Sequence, residues 1–267
     1  MNKVPVVSTM ATILMITIGS AQTDHRNPRS VSQIGFGLGG VHYQARDDIL
    51  APLRWEGAGG LLNVSYRFNS RRGQQEITMR LPVAIVANRY NHKGFCDELN
   101  IRYVVLSRKA GDEATGQVHF GGMLEWSLNH QFYLSWDDSH FYWLNTYAVG
   151  PVVRWGKAFS QDRHWTVGIS FPLLVLVSRP PEHRYYDQEP MNRVGYWFTK
   201  PHEDMKLTSV HEYKSVDLRC NYNWQWSRKV TLCVSFHGSY ETYSKPRRIS
   251  LFTNTLMLQF LFKTGSP

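Results

Sequence analysis

The sequence is poor in the features that mark several large classes of protein. Of its 267 residues only 19% are charged and only three are cysteine, while 42% are hydrophobic. This balance excludes a disordered chain, and three scattered cysteines cannot form a disulfide framework, so at least one thiol stays free. Beyond about the first twenty residues no apolar run reaches the roughly 20 residues of a membrane-spanning helix. A helical membrane protein is therefore excluded.

Motifs of metal and nucleotide chemistry are also missing. The sequence contains no HExxH, no CxxC and no P-loop, and its eleven histidines are dispersed. We therefore expect no metal site and no cofactor. No segment shows the 3.6-residue period of an amphipathic helix either.

The first 21 residues have the pattern of a secretory signal. Lys3 supplies a positive charge, the segment 4–18 is mostly apolar, and Gly19, Ser20 and Ala21 are small residues suited to cleavage before Gln22. The sequence predicts a signal peptide over 1–21 and a mature domain over 22–267.

The rest of the chain is dominated by a two-residue period, which indicates strands with one apolar face. From Val216 to Trp226 every even position is apolar or aromatic and every odd position is polar; a short turn follows, and the pattern resumes from Val230. The same rule predicts ten strands. Their apolar positions lie within 34–38, 62–68, 77–85, 101–105, 118–128, 141–155, 165–177, 216–226, 230–236 and 252–262.

Three features favour a membrane barrel over a secreted soluble β-protein. Several strands exceed ten residues, which suits a tilted bilayer crossing. The connections after the even strands are mostly short, whereas the one after strand seven runs over 179–211. Aromatic residues gather at the strand ends beside the short turns, as at a membrane interface: Tyr66, Phe68, Trp155, Trp165, Trp224, Trp226, Phe260 and Phe262. We predict an all-β, antiparallel, up-and-down transmembrane β-barrel of about ten strands.

With its signal-like start, ten amphipathic strands and an aromatic-rich last strand over 250–262, the chain resembles bacterial outer-membrane β-barrel proteins, of the uncharacterised kind common in Bacteroidota. The resemblance covers nearly all of the mature chain, although its motifs are architectural. It implies localisation in the cell outer membrane and contact with outer-membrane lipids.

The polar face of the strands predicts a charged barrel interior. Buried charges are tolerated when they are paired and hydrogen-bonded, so the first interpretation is a plugged lumen; a narrow channel for small solutes is the alternative. The predicted lumen network consists of Glu76, Arg80, Arg102, Glu125, Arg154, Asp217, Arg219 and Glu241.

An outer-membrane hydrolase is a further alternative. Asp137, Asp138 and His140 lie together before strand six, and His211 precedes strand eight, so these four are the candidate catalytic residues. A rim of Asp and His resembles that of outer-membrane aspartyl proteases, which also have ten strands. A lipid hydrolase that resembles outer-membrane phospholipase A would have its Asn-His pair followed by a Ser and a Gly in a fixed local motif; here Asn129-His130 is followed by Gln131-Phe132-Tyr133, so the motif is absent.

The long loop over 179–211 mixes basic and aromatic residues, and loops of this length are usually functional or disordered. Basic side chains on the outer side of the membrane suit the phosphates of lipopolysaccharide. The candidate contacts are Arg184, Arg193, Lys200, Arg247 and Arg248. Other envelope proteins are a further class of partner, and nucleic acid is not expected. The sequence thus predicts a structural, binding or accessory component of the envelope rather than an enzyme.

Overall fold

A computed structural model describes residues 31–48, 51–70, 73–108, 116–133, 141–180 and 199–264. The predicted signal peptide lies outside these ranges. The strands are β1 (Val31–Asp47), β2 (Ala51–Asn69), β3 (Gly73–Asn88), β4 (Lys93–Arg108), β5 (Gln117–Phe132), β6 (Phe141–Ser160), β7 (Arg163–Ser170), β8 (Leu174–Ser178), β9 (Lys206–Ser209), β10 (Tyr213–Gln225), β11 (Val230–Tyr243) and β12 (Ile249–Thr264). A short 3-10 turn covers Lys200–His202.

These strands form one antiparallel sheet that closes on itself. The order runs β5-β4-β3-β2-β1-β12-β11-β10-β7-β6, and the pairing of β5 with β6 completes the ring. β7 and β8 both pair with β6 and form one interrupted strand, while β9 is a short addition beside β8. The predicted ten-stranded barrel is therefore confirmed. In the part of the chain that the structure describes, no helix is long and apolar enough to cross a membrane.

The two faces of each strand differ sharply in exposure. On β1, Phe36 and Leu38 point outward and are 54% and 66% exposed, whereas Val41 and Tyr43 face the lumen and are nearly buried. The same alternation places Leu62 and Leu256 outside. Closure of the ring pairs its strands on both sides, apart from the short addition β9, so this apolar outer face can lie against lipid.

The two ends of the barrel differ in their connections. The chain enters at Val31 and leaves at Thr264 on the same end, which also carries the two-residue turn after β6. We call it the turn end, and the opposite end the loop end. The loop end carries the connection between β8 and β9, although its links after β1 and β3, 48–50 and 89–92, are as short as turns. The alternation of loop sizes is thus weaker than the sequence suggested.

The seventh strand departs from the predicted face pattern. The sequence places Val175 and Val177 on the same face as Ile169, but the structure turns both into the lumen, where they are 1% and 2% exposed. The strand breaks over 171–173, where Pro172 lacks an N–H for the ladder. Gly150 on β6 leaves room for the broken segment, because a Cβ atom at this position would lie 2.0 Å from the Phe171 carbonyl oxygen.

Part of the outer wall near the loop end carries a second layer. Trp126, predicted to face lipid, stacks on Tyr147 and lies beside His202 of the 3-10 turn. Asn145 Oδ1 accepts a hydrogen bond from Trp126 Nε1 at 2.8 Å, and Asn145 Nδ2 donates one to the Pro201 carbonyl oxygen at 2.8 Å. The segment 199–204 therefore covers this stretch of β5 and β6.

Candidate functional site: the barrel interior

The lumen at the loop end is filled by an apolar cluster, here called the apolar cap. Trp55 and Tyr133 are 0% and 1% exposed, and their ring centroids lie 4.2 Å apart. Cys96, whose thiol is free, packs in the same cluster. The remaining members are Val41, Tyr43, Ala45, Ala84, Val86, Tyr142, Leu144, Ala148, Val175, Val177, Tyr213, Tyr243, Ile249 and Leu251. Sequence reasoning missed this cap because its members alternate with outward polar residues near the strand ends.

Below the cap lies a polar layer, the central network, organised around Arg102. Its Nη1 lies 3.2 Å from Glu125 Oε2 and 3.3 Å from Asp217 Oδ2, and its Nη2 donates to Ser170 Oγ at 2.6 Å. The side chain is 2% exposed. Arg102 on β4 and Glu125 on β5 are thus joined across the lumen to Ser170 on β7 and Asp217 on β10.

The network continues from Asp217 to the opposite wall. His237 Nε2 lies 2.9 Å from Asp217 Oδ1, and the other ring nitrogen of His237 contacts the guanidinium of Arg80. Arg80 Nη2 also donates to Asn100 Oδ1 at 3.1 Å, and Asn100 Nδ2 donates to Glu125 Oε1 at 2.8 Å. These hydrogen bonds, with the Arg102–Glu125 ion pair, close a circuit through the middle of the barrel.

A second group of ion pairs lies nearer the turn end. Glu76 is 3.0 Å from Arg154 Nη2 and 3.6 Å from Arg67 Nε, and Arg154 Nη1 donates to Gln74. One carboxylate is therefore shared by two arginines. Five arginines and five carboxylates lie in this part of the lumen: Arg67, Arg80, Arg102, Arg154, Arg219, Glu76, Glu98, Glu125, Asp217 and Glu241.

Two of the predicted lumen residues are bonded differently from the rest. Glu241 lies at the upper side of the network and accepts from Tyr213 OH at 2.6 Å. Arg219 faces the lumen, yet its Nε and Nη2 have no hydrogen-bond partner among the described residues. Arg219 and Asn63 line a small cavity of about 40 Å³, and a second one in the central network holds about 20 Å³. Each has room for about one or two water molecules.

At the turn end the lumen opens into a cavity of about 620 Å³, here called the vestibule. Strand-end residues such as Val31, Ser70 and Lys263 form its rim, and Arg67 and Arg154 form part of its floor. The interior therefore has three layers: an open vestibule, a polar network and an apolar cap.

Of the four candidate hydrolase residues, only His211 lies within the described structure. Asp137, Asp138 and His140 lie outside the described residues. His211 is exposed in the turn between β9 and β10. The acid beside it, Glu212, forms an ion pair with Lys245 that lowers the pKa of the Glu212 carboxyl, and it also accepts from Thr208.

The candidate lipopolysaccharide contacts are only partly described. Arg184 and Arg193 lie outside the described residues. Lys200 pairs with Glu203 at 2.8 Å. Arg247 and Arg248 are exposed at the loop end, where Arg248 Nη2 lies 3.5 Å from Tyr240 OH.

Two acid–base pairs, one buried and one partly exposed, escaped the sequence analysis. Arg179, at the start of the long loop, binds Asp47 at the end of β1. His130 and Asp97 face each other on the outer wall, with Nδ1 and Oδ1 2.9 Å apart. The second pair could have been suspected from the sequence, because a charged residue and a histidine are unusual on the lipid-facing side of predicted strands.

Comparison with known proteins identifies the fold of the chain but not its specific role. No protein-family model and no curated protein sequence matches the chain. The structure is similar to that of outer-membrane protease OmpT from Escherichia coli, with a TM-score of 0.52, 6% identity, and coverage of 91% of this chain and 100% of that one. It also matches the translocator domain of autotransporter NalP from Neisseria meningitidis, with a TM-score of 0.47, 10% identity, and coverage of 96% and 98%. The fold is that of the bacterial outer-membrane β-barrels.

Proposed function

We propose that the protein is a closed, non-conducting integral barrel of the outer membrane that acts as a structural, binding or accessory component of the envelope. The observation that carries this proposal is the circuit through Arg102, Asp217 and His237, which spans the lumen beneath the apolar cap. The turn end, with the chain entry and exit, then faces the periplasm, and the loop end faces outward. Export by a signal peptide over 1–21 belongs to the same proposal.

The energetics of the network oppose a channel. A solute path would have to separate Arg102 from Asp217, whose side chains are 2% and 7% exposed. Leaving one partner of such a buried pair uncompensated costs about 3–5 kcal/mol. A path would also have to displace Trp55 or Tyr133 from the apolar cap. Both layers favour a plug over a narrow solute channel.

A hydrolase with a rim site is the weaker alternative. In the ranges that the structure covers, no three His, Cys, Asp or Glu side chains cluster as a metal site would require. Asp217 and His237 do pair, but they are bonded to Arg102 and Arg80 deep in the lumen. The likeness to a protease concerns the fold alone and carries no activity to this chain.

The proposal also includes contact with lipopolysaccharide. Arg247 and Arg248 project from the loop end, where their guanidinium groups can pair bidentately with phosphate. Replacing both by Gln should reduce the amount of lipopolysaccharide that copurifies with the barrel, while Arg163→Gln, at the opposite end, should not. The Bacteroidota-like type finds no support in the structures compared and does not enter the proposal.

The proposal is tested by two measurements on the full chain. The unboiled protein should fractionate with the outer membrane and migrate faster on a gel than the boiled sample. Liposomes that contain the folded barrel should swell no faster than empty ones in an isotonic sugar such as arabinose. Rapid swelling would overturn the closed lumen, and a soluble protein without a heat-dependent shift would overturn the membrane barrel.

A further inference from the structure

We propose that the vestibule is a binding site for a small, hydroxyl-rich anion, such as a sugar phosphate, that enters from the periplasmic end. This assignment rests on the proposed orientation of the barrel. A volume of about 620 Å³ lies within the range of small-molecule sites. The closed central network gives the vestibule a floor, so that it is a pocket with one mouth.

The charge of the vestibule selects an anion. Arg67, Arg154 and Lys263 line it from the lumen face, and no Asp or Glu is found among the described residues that line it. The carboxylate closest to its floor, Glu76, is already shared by Arg67 and Arg154. Two guanidinium groups against one carboxylate leave a positive excess, and guanidinium forks match the oxygens of phosphate and carboxylate.

Unpartnered polar atoms point to a ligand rather than to a generally basic surface. Asn223 lines the vestibule and is 1% exposed, yet neither its Nδ2 nor its Oδ1 has a hydrogen-bond partner among the described residues. Behind the floor, Arg219 keeps Nε and Nη2 unpartnered in the 40 Å³ cavity that also borders Arg67 and Arg154. Buried polar atoms are nearly always satisfied, so donors left open beside a cavity require a partner.

The wall of the vestibule selects a ligand that carries hydroxyl groups. It is rich in neutral amides, which offer both donors and acceptors and so match sugar hydroxyls. They are Gln33, Asn69, Gln74, Gln117, Asn221, Asn223 and Gln225. A simple phosphate ion would use the cationic floor and leave this wall unused.

The test measures binding of glucose 6-phosphate to the folded full chain in detergent micelles by calorimetry. We expect one saturable site, with glucose and inorganic phosphate each binding at least about tenfold more weakly, because each loses one set of charge-assisted or neutral hydrogen bonds. Affinity for phosphate equal to that for glucose 6-phosphate would overturn the hydroxyl-rich ligand. An acidic peptide that binds more tightly than glucose 6-phosphate would also overturn it.

Variants locate the binding to the vestibule. Asn223→Ala should weaken binding severalfold without loss of folding, because Asn223 has no hydrogen bond to lose within the described structure. Arg154→Gln should weaken it about tenfold or more. Arg54→Gln is the control, because this side chain is 61% exposed at the loop end and pairs with Glu56. Equal losses in Arg54→Gln and Asn223→Ala would overturn the site.

The binding test and the test of the proposed function can fail independently of each other. A protein that conducts solutes but binds glucose 6-phosphate through Asn223 would refute the closed barrel and keep the site. A sealed barrel with no saturable binding would refute the site and keep the barrel.

Discussion

Arg179 and Asp47 form a buried ion pair in which one guanidinium nitrogen, Arg179 Nη2, lies 2.8 and 2.9 Å from the two carboxylate oxygens. The side chains are only 3% and 2% exposed. Arg179 Nη1 also donates to the Arg247 carbonyl at 2.8 Å. The start of the long loop is thereby fixed to the end of β1 and to the link between β11 and β12, across the mouth of the barrel.

Asp47→Ala should release this attachment. It leaves the Arg179 guanidinium buried without its carboxylate, which costs about 3–5 kcal/mol. We expect a lower unfolding temperature in micelles and faster trypsin cleavage after Arg184, the first site in the long loop that trypsin can cut, since Arg179 is followed by Pro180. Asp48→Ala is the matched control, because its partner Arg46 is 59% exposed and such pairs contribute about 0–1 kcal/mol. Equal cleavage rates in the two variants would show that the pair does not hold the loop.

Asp217→Ala should destabilise the barrel through the central network. It leaves Arg102 and His237 without their shared carboxylate, at a cost of about 3–5 kcal/mol in the free energy of unfolding. Urea unfolding in micelles, followed by tryptophan fluorescence, measures it. The double variant Arg102→Ala/Asp217→Ala should cost less than the sum of the single variants, by about 0.5–3 kcal/mol. Strict additivity would contradict a coupled network.

His202 should bind protons more weakly than an ordinary histidine. Partial burial lowers its pKa below 6.5, and the Asn145 amide and the Tyr147 hydroxyl donate to its Nδ1 at 3.1 and 3.0 Å, which favours the neutral ring. The stability that the neutral ring contributes is complete above pH 6.5 and declines as the pH falls towards the lowered pKa.

An NMR titration of the His202 ring protons measures this pKa directly. Tyr147→Phe removes one donor to the neutral ring and should move the pKa back towards 6.5. Tyr240→Phe, a change on β11, three strands away from β6, should leave it unchanged. A native pKa at or above 6.5 would contradict the docked position of the segment 199–204.

The sequence predicted the strands because alternation of polar and apolar residues is a local property. The apolar faces of β1 and β12 follow directly from it, and the inward direction of Arg102 and Asp217 is fixed by the same parity. The face of Val175 could not be predicted, since it depends on the break at Pro172 and on space beside Gly150.

Interactions between distant strands were beyond local reasoning. Asp47 and Arg179 are 132 residues apart, and neither lies in a motif that predicts their pairing. The vestibule likewise depends on how strand ends from the whole ring meet. Asn223 looked like any other polar position of a two-faced strand, and only the closed barrel shows that its amide is buried beside a cavity.

The most direct test of the closed barrel is a planar-bilayer recording of the intact, folded protein. We expect no stepwise conductance, because the central network and the apolar cap fill the lumen in series. The triple variant Trp55→Ala/Arg102→Ala/Asp217→Ala, which thins both layers, should show conductance steps if it folds, as checked by its gel shift. Stable open steps from the unmodified protein would contradict the account.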